Sequence, residues 1–195
     1  MRLIIIDGLD GVGKDTHAYI VKRRYEKKGE KVLIRSHPAT DNYFGKKAKI
    51  ALVGIGKFNK IKASIFYMLD VLRSIRKYYR KKEYDTLIMV RYLMGTAYLP
   101  KKLVKLGYNF FYHFVPTSKY MFYLDASPEE ILKRVKKRNV KEIFETQDSF
   151  IKVRKKSENL VKNWIIIDTS GSIEYTASLI EKKLDLLDKT WLFFY

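Results

Sequence analysis

The residues best suited to chemistry lie within the first sixteen positions, in a glycine-rich run that contains a lysine. Gly8 is separated by four residues from Gly13 and Lys14, and this is the spacing of a phosphate-binding P-loop. Small residues there let successive backbone N–H groups point into one concavity, and the following helix adds the positive end of its dipole. Lys14 would reach the β- and γ-phosphates of a nucleotide. The predicted phosphate site comprises Gly8, Leu9, Asp10, Gly11, Val12, Gly13, Lys14, Asp15 and Thr16.

The last position of this pattern is unusual, because Asp15 stands where Ser or Thr normally supplies a hydroxyl to Mg²⁺. A carboxylate is also a hard oxygen ligand, so Asp15 is a candidate metal ligand. Alternatively, Asp15 only stabilises the start of the helix, and Thr16 contacts the phosphates. A strand-to-helix turn without any ligand is the remaining interpretation, but the order of strand, loop and helix favours the phosphate site.

Alternating strands and helices are predicted to hold this loop. Residues 3–6 form a short aliphatic run that is typical of a strand covered on both faces. Similar runs predict four more strands at 31–35, 86–90, 120–124 and 164–168, and helical patterns fall at 17–28, 41–53, 60–82, 127–138, 148–161 and 172–187. The expected fold is α/β, a three-layer α/β/α arrangement of P-loop NTPase type with a five-stranded, mostly parallel sheet.

Composition limits the other possibilities. The chain of 195 residues is expected to form one domain, 1–195, and its lack of cysteine excludes disulfides and thiolate zinc sites. No stretch of about 18 apolar residues and no signal-peptide pattern occurs, so we expect a cytoplasmic protein without a membrane contact. A formal net charge of +19 attracts polyanions, but the basic residues are dispersed along the chain. This favours a solvated basic surface over a nucleic-acid groove.

Further stretches accompany the loop. They are Arg91-Tyr92 after the third predicted strand, Ala97-Tyr98 shortly afterwards, and the run Tyr123-Leu-Asp-Ala-Ser-Pro-Glu-Glu-Ile-Leu-Lys-Arg134. Together they resemble thymidylate kinases, P-loop kinases that move the γ-phosphoryl group of ATP onto dTMP. The resemblance covers almost the whole chain. It implies ATP and Mg²⁺ on the donor side, a nucleoside monophosphate, with dTMP favoured, as acceptor, and a homodimer.

The resemblance also implies roles for individual residues. Lys14 and the loop amides would hold the donor phosphates, and Arg91 would contact the phosphates during transfer. In one branch of the family a basic residue within the loop assists the transfer, but Gly11 takes that position here. The assisting arginine would then come from a mobile lid at about 138–147, with Arg138 the first candidate and Arg134 the second. The acceptor would meet Asp10 at its sugar and Phe66 at its base, with Lys49, Asp70, Arg73, Arg91 and Tyr98 as the other acceptor residues.

Several positions on the acceptor side depart from the family pattern. Val90 replaces the acid that usually precedes Arg91, Val71 replaces an arginine, which leaves Arg73 as a displaced candidate, and Leu99 replaces a glutamine. Lys49 stands near an expected phosphate-binding arginine, but lysine lacks the bidentate fork of arginine. From the resemblance, the acceptor is still expected to be dTMP or dUMP. A nucleotide-binding protein that has lost transfer, or a nucleic-acid-associated P-loop protein, is the alternative.

Overall fold

A computed structural model of the chain describes residues 1–54, 56–99, 101–136 and 147–192. Its centre is one sheet of five strands, with β1 in the middle and the order β2-β3-β1-β4-β5. All four strand pairings are parallel, so the sheet is wholly parallel where a mostly parallel one was expected. The strands are β1 (Arg2–Gly8), β2 (Val32–Ser36), β3 (Thr86–Val90), β4 (Tyr120–Asp125) and β5 (Ile165–Asp168).

Seven helices and one short 3-10 helix connect these strands within the described ranges. They are α1 (Lys14–Glu26), α2 (Tyr43–Val53), α3 (Lys57–Tyr78), the 3-10 helix Met94–Tyr98, α4 (Lys101–Phe114), α5 (Pro128–Lys136), α6 (Gln147–Glu158) and α7 (Ile173–Leu192). The largest differences from these predicted helical spans are at α7, which ends five residues later, and at α3, which begins three residues earlier and ends four residues earlier.

Alternate residues of β1 enter two separate hydrophobic clusters, because successive side chains of a strand point to opposite faces. Ile4 and Ile6 pack in the cluster that contains residues of α1, α5 and α7. Leu3 and Ile5 pack in the cluster that contains residues of α3 and α4. The α/β/α layering predicted from the sequence is confirmed.

The parallel arrangement places the carboxyl ends of β1, β3 and β4 at one edge of the sheet. Ile6 is paired with Val90 of β3 and with Phe122 of β4, so the segments that follow these strands begin side by side. Ligands of open α/β sheets bind outside this edge. None of the helices described is both long and apolar enough to cross a membrane.

Candidate active site

The loop between β1 and α1 has the backbone conformation that a phosphate cradle needs. Gly11 and Gly13 adopt φ angles of 89° and 84°, in the left-handed region that glycine enters without a side-chain clash. Gly8 also has a positive φ, 144°, and a Cβ atom there would lie 2.2 Å from the carbonyl oxygen of Leu124. Helix α1 begins at Lys14 directly after Gly13, so its free N–H groups face the loop.

Lys14 lies at the base of this loop and is 3% exposed. Its Nζ donates to the carbonyl oxygen of Leu9 at 2.5 Å and lies 3.5 Å from a carboxylate oxygen of Asp10. Burial lowers the pKa of the Lys14 ammonium, and the nearby Asp10 charge opposes this change. The ammonium therefore gains from any additional anion that enters the loop.

Asp15, Ser36 and Arg91 form a closed set of hydrogen bonds beside the loop. Nη1 of Arg91 donates to the two carboxylate oxygens of Asp15 at 2.9 and 3.1 Å. The Ser36 hydroxyl donates to Asp15 and accepts from Arg91, both at 3.0 Å. Burial raises the pKa of Asp15, but the charge of Arg91 and these hydrogen bonds outweigh it, so the carboxyl pKa lies below its ordinary value. Three elements, α1, β2 and the segment after β3, thus meet at one ion pair.

Asp7, which the sequence had not singled out, fixes the segment after β3. One of its carboxylate oxygens accepts hydrogen bonds from the backbone N–H groups of Tyr92, Leu93 and Met94 at 2.8, 2.8 and 3.0 Å. The side chain is fully buried, and burial raises its pKa against the effect of the three amides. The sequence signal that could have identified Asp7 is an acid at the end of a buried strand, where a charge needs strong hydrogen-bond partners.

A cavity of about 850 Å³ extends from the phosphate loop to the walls formed by α2 and α3. A volume of this size is typical of a small-molecule site. Its lining includes five of the predicted site residues, namely Gly8, Asp10, Asp15 and Arg91 together with Lys49 of α2. Segment 35–41 also lines the cavity.

Tyr67, rather than the predicted Phe66, is the α3 aromatic residue that lines this cavity. The Tyr67 hydroxyl donates to the carbonyl oxygen of Arg91, and burial raises its pKa well above the ordinary value. The ring of Phe66 instead lies edge-on to Tyr43, with centroids 6.2 Å apart. Periodicity had identified the helix correctly, but the rotation of α3 about its axis is set by tertiary packing.

Asp70 and Arg73 do not line the cavity either. Asp70 is fully buried and accepts from the backbone N–H of Ala39 at 2.6 Å and from the amide of Asn42 at 2.7 Å. It therefore holds the segment that forms one side of the cavity. The Nη1 atom of Arg73 is buried without a hydrogen-bond partner among the described residues.

Val90 occupies the position where an acid was expected, and it is fully buried in the same cluster as Ile6. A carboxylate at this point of the strand would lack water and would require new hydrogen bonds. The carboxylates next to Arg91 come instead from the loop and from α1, because its Nε lies 3.7 Å from Asp10 and its Nη1 lies 2.9 Å from Asp15.

Of the two arginines predicted to assist the transfer, the structure describes only Arg134. Arg134, on α5, donates through Nε to Glu130 at 3.0 Å and through Nη2 to the carbonyl oxygen of Thr169 at 2.6 Å. Arg138 and the predicted lid lie outside the described residues, apart from position 147, where α6 begins. The side chain of Tyr98 also lies outside the described part of the chain.

Arg154 is a second residue at this edge that the site prediction omitted. Its guanidinium donates to the carboxylate of Asp125 at the end of β4, from Nε to one oxygen at 3.0 Å and from Nη2 to the other at 2.7 Å. This bidentate geometry is the strong form of an ion pair. It connects α6 to the strand end next to the phosphate loop.

Comparisons with known proteins agree with this architecture. A family model described as thymidylate kinase matches residues 6–180 of the chain. A probable thymidylate kinase from Archaeoglobus fulgidus is 27% identical over 192 residues, which cover 94% of this chain and 94% of the relative. A probable thymidylate kinase from Methanococcus aeolicus is 27% identical over 195 residues, which cover 94% of this chain and 95% of the relative.

The fold is also that of a solved thymidylate kinase from Candida albicans, with a TM-score of 0.79 at 17% identity over 96% of this chain and 92% of that one. The family match, unlike this structural likeness, rests on the sequence itself and covers most of the chain. The chain therefore belongs to the thymidylate kinase family.

Proposed function

We propose that this protein transfers the γ-phosphoryl group of ATP to a nucleoside monophosphate, with dTMP as the acceptor. The observation that carries the proposal is the continuity of the phosphate loop with an 850 Å³ cavity, because the loop residues Gly8, Asp10 and Asp15 also line the cavity, next to Arg91. A kinase needs the γ-phosphoryl group of the donor and the phosphate of the acceptor to meet at one point from which water can be excluded. Family membership supplies the identity of the acceptor.

On the donor side, the loop amides and Lys14 hold the β- and γ-phosphates of ATP. The buried Lys14 ammonium exchanges its contact with the Leu9 carbonyl for phosphate oxygens, which are stronger acceptors because they are charged. Arg134, or Arg138 in the lid, supplies the cation that stabilises the charge on the phosphoryl group in transit. Arg134 already lies at the end of α5, bonded to the carbonyl of Thr169.

The residues beside the loop fit a bound Mg²⁺, since Asp10 and Asp15 both offer hard carboxylate oxygens toward the cavity. Among the described residues, no group of three or more acidic or histidine side chains is placed to hold a metal without further ligands. Magnesium characteristically shares its ligands between one or two carboxylates and substrate phosphates. Mg²⁺ bound with ATP neutralises phosphate charge, and Asp15 is the first candidate ligand.

On the acceptor side, we propose that Arg91 and Lys49 contact the phosphate and that Asp10 faces the sugar. The base stacks against Tyr67, since Phe66 turns away from the cavity. Asp70 acts through the segment that it holds at Ala39, rather than by touching the acceptor. The Val71 and Leu99 changes leave the base edge without the side chains that the family usually offers.

The direct test is ADP formation from Mg-ATP with each nucleoside monophosphate in turn, against a control without acceptor. We expect stimulation by dTMP, and a loss of about 100-fold or more in the Lys14→Ala variant. Lys183→Ala removes an exposed lysine on α7 and is the matched control, with wild-type activity expected. Equal ADP formation with and without every monophosphate would contradict the proposal.

We also propose a homodimer formed through α3. Phe58, Ile61, Ile65 and Leu72 are exposed large apolar residues at positions that repeat along one face of this helix. Contiguous exposed apolar surface of this kind is typical of an interface. Sedimentation should show a dimer that Ile65→Lys dissociates, whereas Leu186→Lys, at an exposed site on α7, should leave it intact.

A further inference from the structure

Asp15 and Arg91 form an unusual ion pair between the phosphate loop and the cavity. Arg91 has a backbone φ of 55°, in the left-handed region that residues with side chains rarely enter. Its N–H donates to the carbonyl oxygen of Ile6 at 3.2 Å, and its own carbonyl accepts from the Tyr67 hydroxyl. The backbone of Arg91 is thus held by β1 and α3, and at this residue the chain turns away from the direction of β3.

The side chain of Arg91 is held by other residues, chiefly by Asp15 of α1. A guanidinium carries a long, flexible stem, so its position depends on what it binds. Here Nη1 binds both carboxylate oxygens of Asp15 and the hydroxyl of Ser36, while Nε lies near Asp10. Asp15 makes the shortest of these contacts, at 2.9 Å.

Charge balance gives the pair a second consequence. Lys14 and Arg91 lie close to Asp10 and Asp15, and Asp7 also acts on Lys14. A hydroxyl at position 15, which the loop pattern normally has, would remove the carboxylate that lies nearest to Arg91. The acid at this position therefore stabilises the Arg91 guanidinium next to the Lys14 ammonium before any phosphate arrives.

We propose that Asp15 is the positioning residue for Arg91, holding its guanidinium at the boundary between the phosphate loop and the acceptor cavity. This inference rests on the proposed function only for the statement that Arg91 meets the acceptor phosphate. The acid that the family pattern places before Arg91 is absent at buried Val90, and Asp15 of α1 supplies a carboxylate to this arginine. An acceptor phosphate then meets a guanidinium whose conformational freedom has already been reduced.

The first test needs no ligand. In ¹⁵N NMR spectra of the whole chain, the Nε–H signal of Arg91 is assigned by its absence in Arg91→Lys. We expect this signal to be separate from those of solvent-exposed arginines in the wild type and in the control Asp185→Ser, which removes an exposed acid on α7. In Asp15→Ser it should move into the solvent-exposed group. An unchanged signal in Asp15→Ser would overturn the proposal.

The second test measures dTMP binding by calorimetry in EDTA, without ATP, so that no metal is involved. We expect Asp15→Ser to weaken binding about three- to tenfold, in line with the cost of ordering one long side chain. Asp15→Glu, which keeps the charge, should recover part of this loss. In an Arg91→Ala background, Asp15→Ser should have no further effect, because the two residues act as one unit.

The outcomes separate this inference from the proposed function. Full dTMP affinity in Asp15→Ser, with loss confined to Mg-ATP binding, would make Asp15 a metal ligand only and overturn the positioning role. Equal weakening by Asp15→Ser with and without Arg91 would also overturn it. If the wild-type chain bound no nucleoside monophosphate, the proposed function would fail, and the NMR comparison would still decide whether Asp15 positions Arg91.

Discussion

Asp7 illustrates how a single buried carboxylate at the edge of the cavity can organise the segment beside it. Three consecutive amides, of Tyr92, Leu93 and Met94, donate to one of its oxygens. Hydrogen bonds to a buried charge are individually strong, and removal of the charge leaves the donors poorly satisfied. Asp7 is therefore the residue through which β1 sets the position of Arg91 and of the wall behind it.

We expect Asp7→Asn to lower the free energy of unfolding by about 3 kcal/mol, because the amide keeps the shape but loses the charge that three donors share. Urea denaturation measures this change. Glu83→Gln, the same kind of change at an exposed carboxylate before β3, is the control and should change stability by less than about 0.5 kcal/mol. Equal midpoints for the two variants would contradict this account of Asp7.

At the residue scale, local sequence predicted the glycine-rich turn between β1 and α1 well, because its glycines and its lysine lie within nine positions. The contact of Arg91 with Asp15 joins residues 76 positions apart, and no local pattern carries it. Phe66, predicted to stack on the acceptor base, does not line the cavity, whereas Tyr67 does, since a one-residue step rotates a side chain by about 100° around a helix. The roles of Lys14, Arg91 and Arg134 stay predictions until the proposed variants are measured.

At the scale of elements, close packing between β1 and β4 is set by Gly8. We expect Gly8→Ala to lower the free energy of unfolding by about 3 kcal/mol, since its Cβ would lie 2.2 Å from a backbone oxygen that cannot move without disturbing the strand pairing. Gly29→Ala also places a side chain at a positive φ, 83°, but nothing lies within 4 Å of the new Cβ. This control should cost about 1 kcal/mol, and thermal unfolding of both variants compares them.

His37 joins the ends of β2 and β3 to α3. Its Nε2 lies 2.9 Å from the hydroxyl of Ser74, and its Nδ1 lies 3.3 Å from the carbonyl oxygen of Val90. Burial lowers the pKa of His37 to about 4. The unfolded chain, in which the pKa is near 6.5, binds a proton in this interval that the folded protein does not.

This difference makes the stability of the junction depend on pH. The contribution of neutral His37 is complete above pH 6.5 and is lost as the pH falls toward 4, with a slope of at most about 1.4 kcal/mol per pH unit. We expect His37→Gln, which does not titrate, to flatten the stability profile over this interval. Urea midpoints at pH 7.0, 6.0 and 5.0 measure the slope, and parallel profiles for the two proteins would contradict it.

The predicted strands were confirmed because aliphatic runs and turn residues specify them locally. Helix ends were less accurate. Helix α1 begins at Lys14 because Gly13 ends the loop in a left-handed conformation, and α3 stops at Tyr78, two residues before Arg80 adopts a positive φ. Sequence periodicity does not register such single backbone rotations, since they depend on what the neighbouring elements allow.

For the whole molecule, a net charge of +19 should affect the capture of anionic substrates more than the chemical step. We expect kcat/KM for ATP to fall as KCl is raised from about 0.05 to 0.5 M, with a smaller change in kcat. Lys182→Glu combined with Lys183→Glu, on the exposed face of α7, should reduce this salt dependence without touching the site. Equal salt dependence of kcat and kcat/KM would contradict it.

The cytoplasmic location, the single-domain assignment and the disfavoured nucleic-acid interaction stay predictions from composition. Cellular location and nucleic-acid binding depend on the surroundings of the molecule, which a fold describes only indirectly. The assignment to a family was more accessible to the sequence, because the loop and the run Tyr123–Arg134 are local patterns that can be recognised in the chain itself.

The attachment of three amides to one oxygen of Asp7 also restricts how the site can adapt. A segment held at successive residues by a single atom can pivot about that atom but cannot slide away from it. We therefore expect any adjustment of the acceptor wall to a bound nucleotide to be a tilt about Asp7, small at Tyr92 and larger at Gly95, which lines the cavity. The end of β1 would then be a common anchor for the acceptor wall and for the phosphate loop, which starts from the same strand.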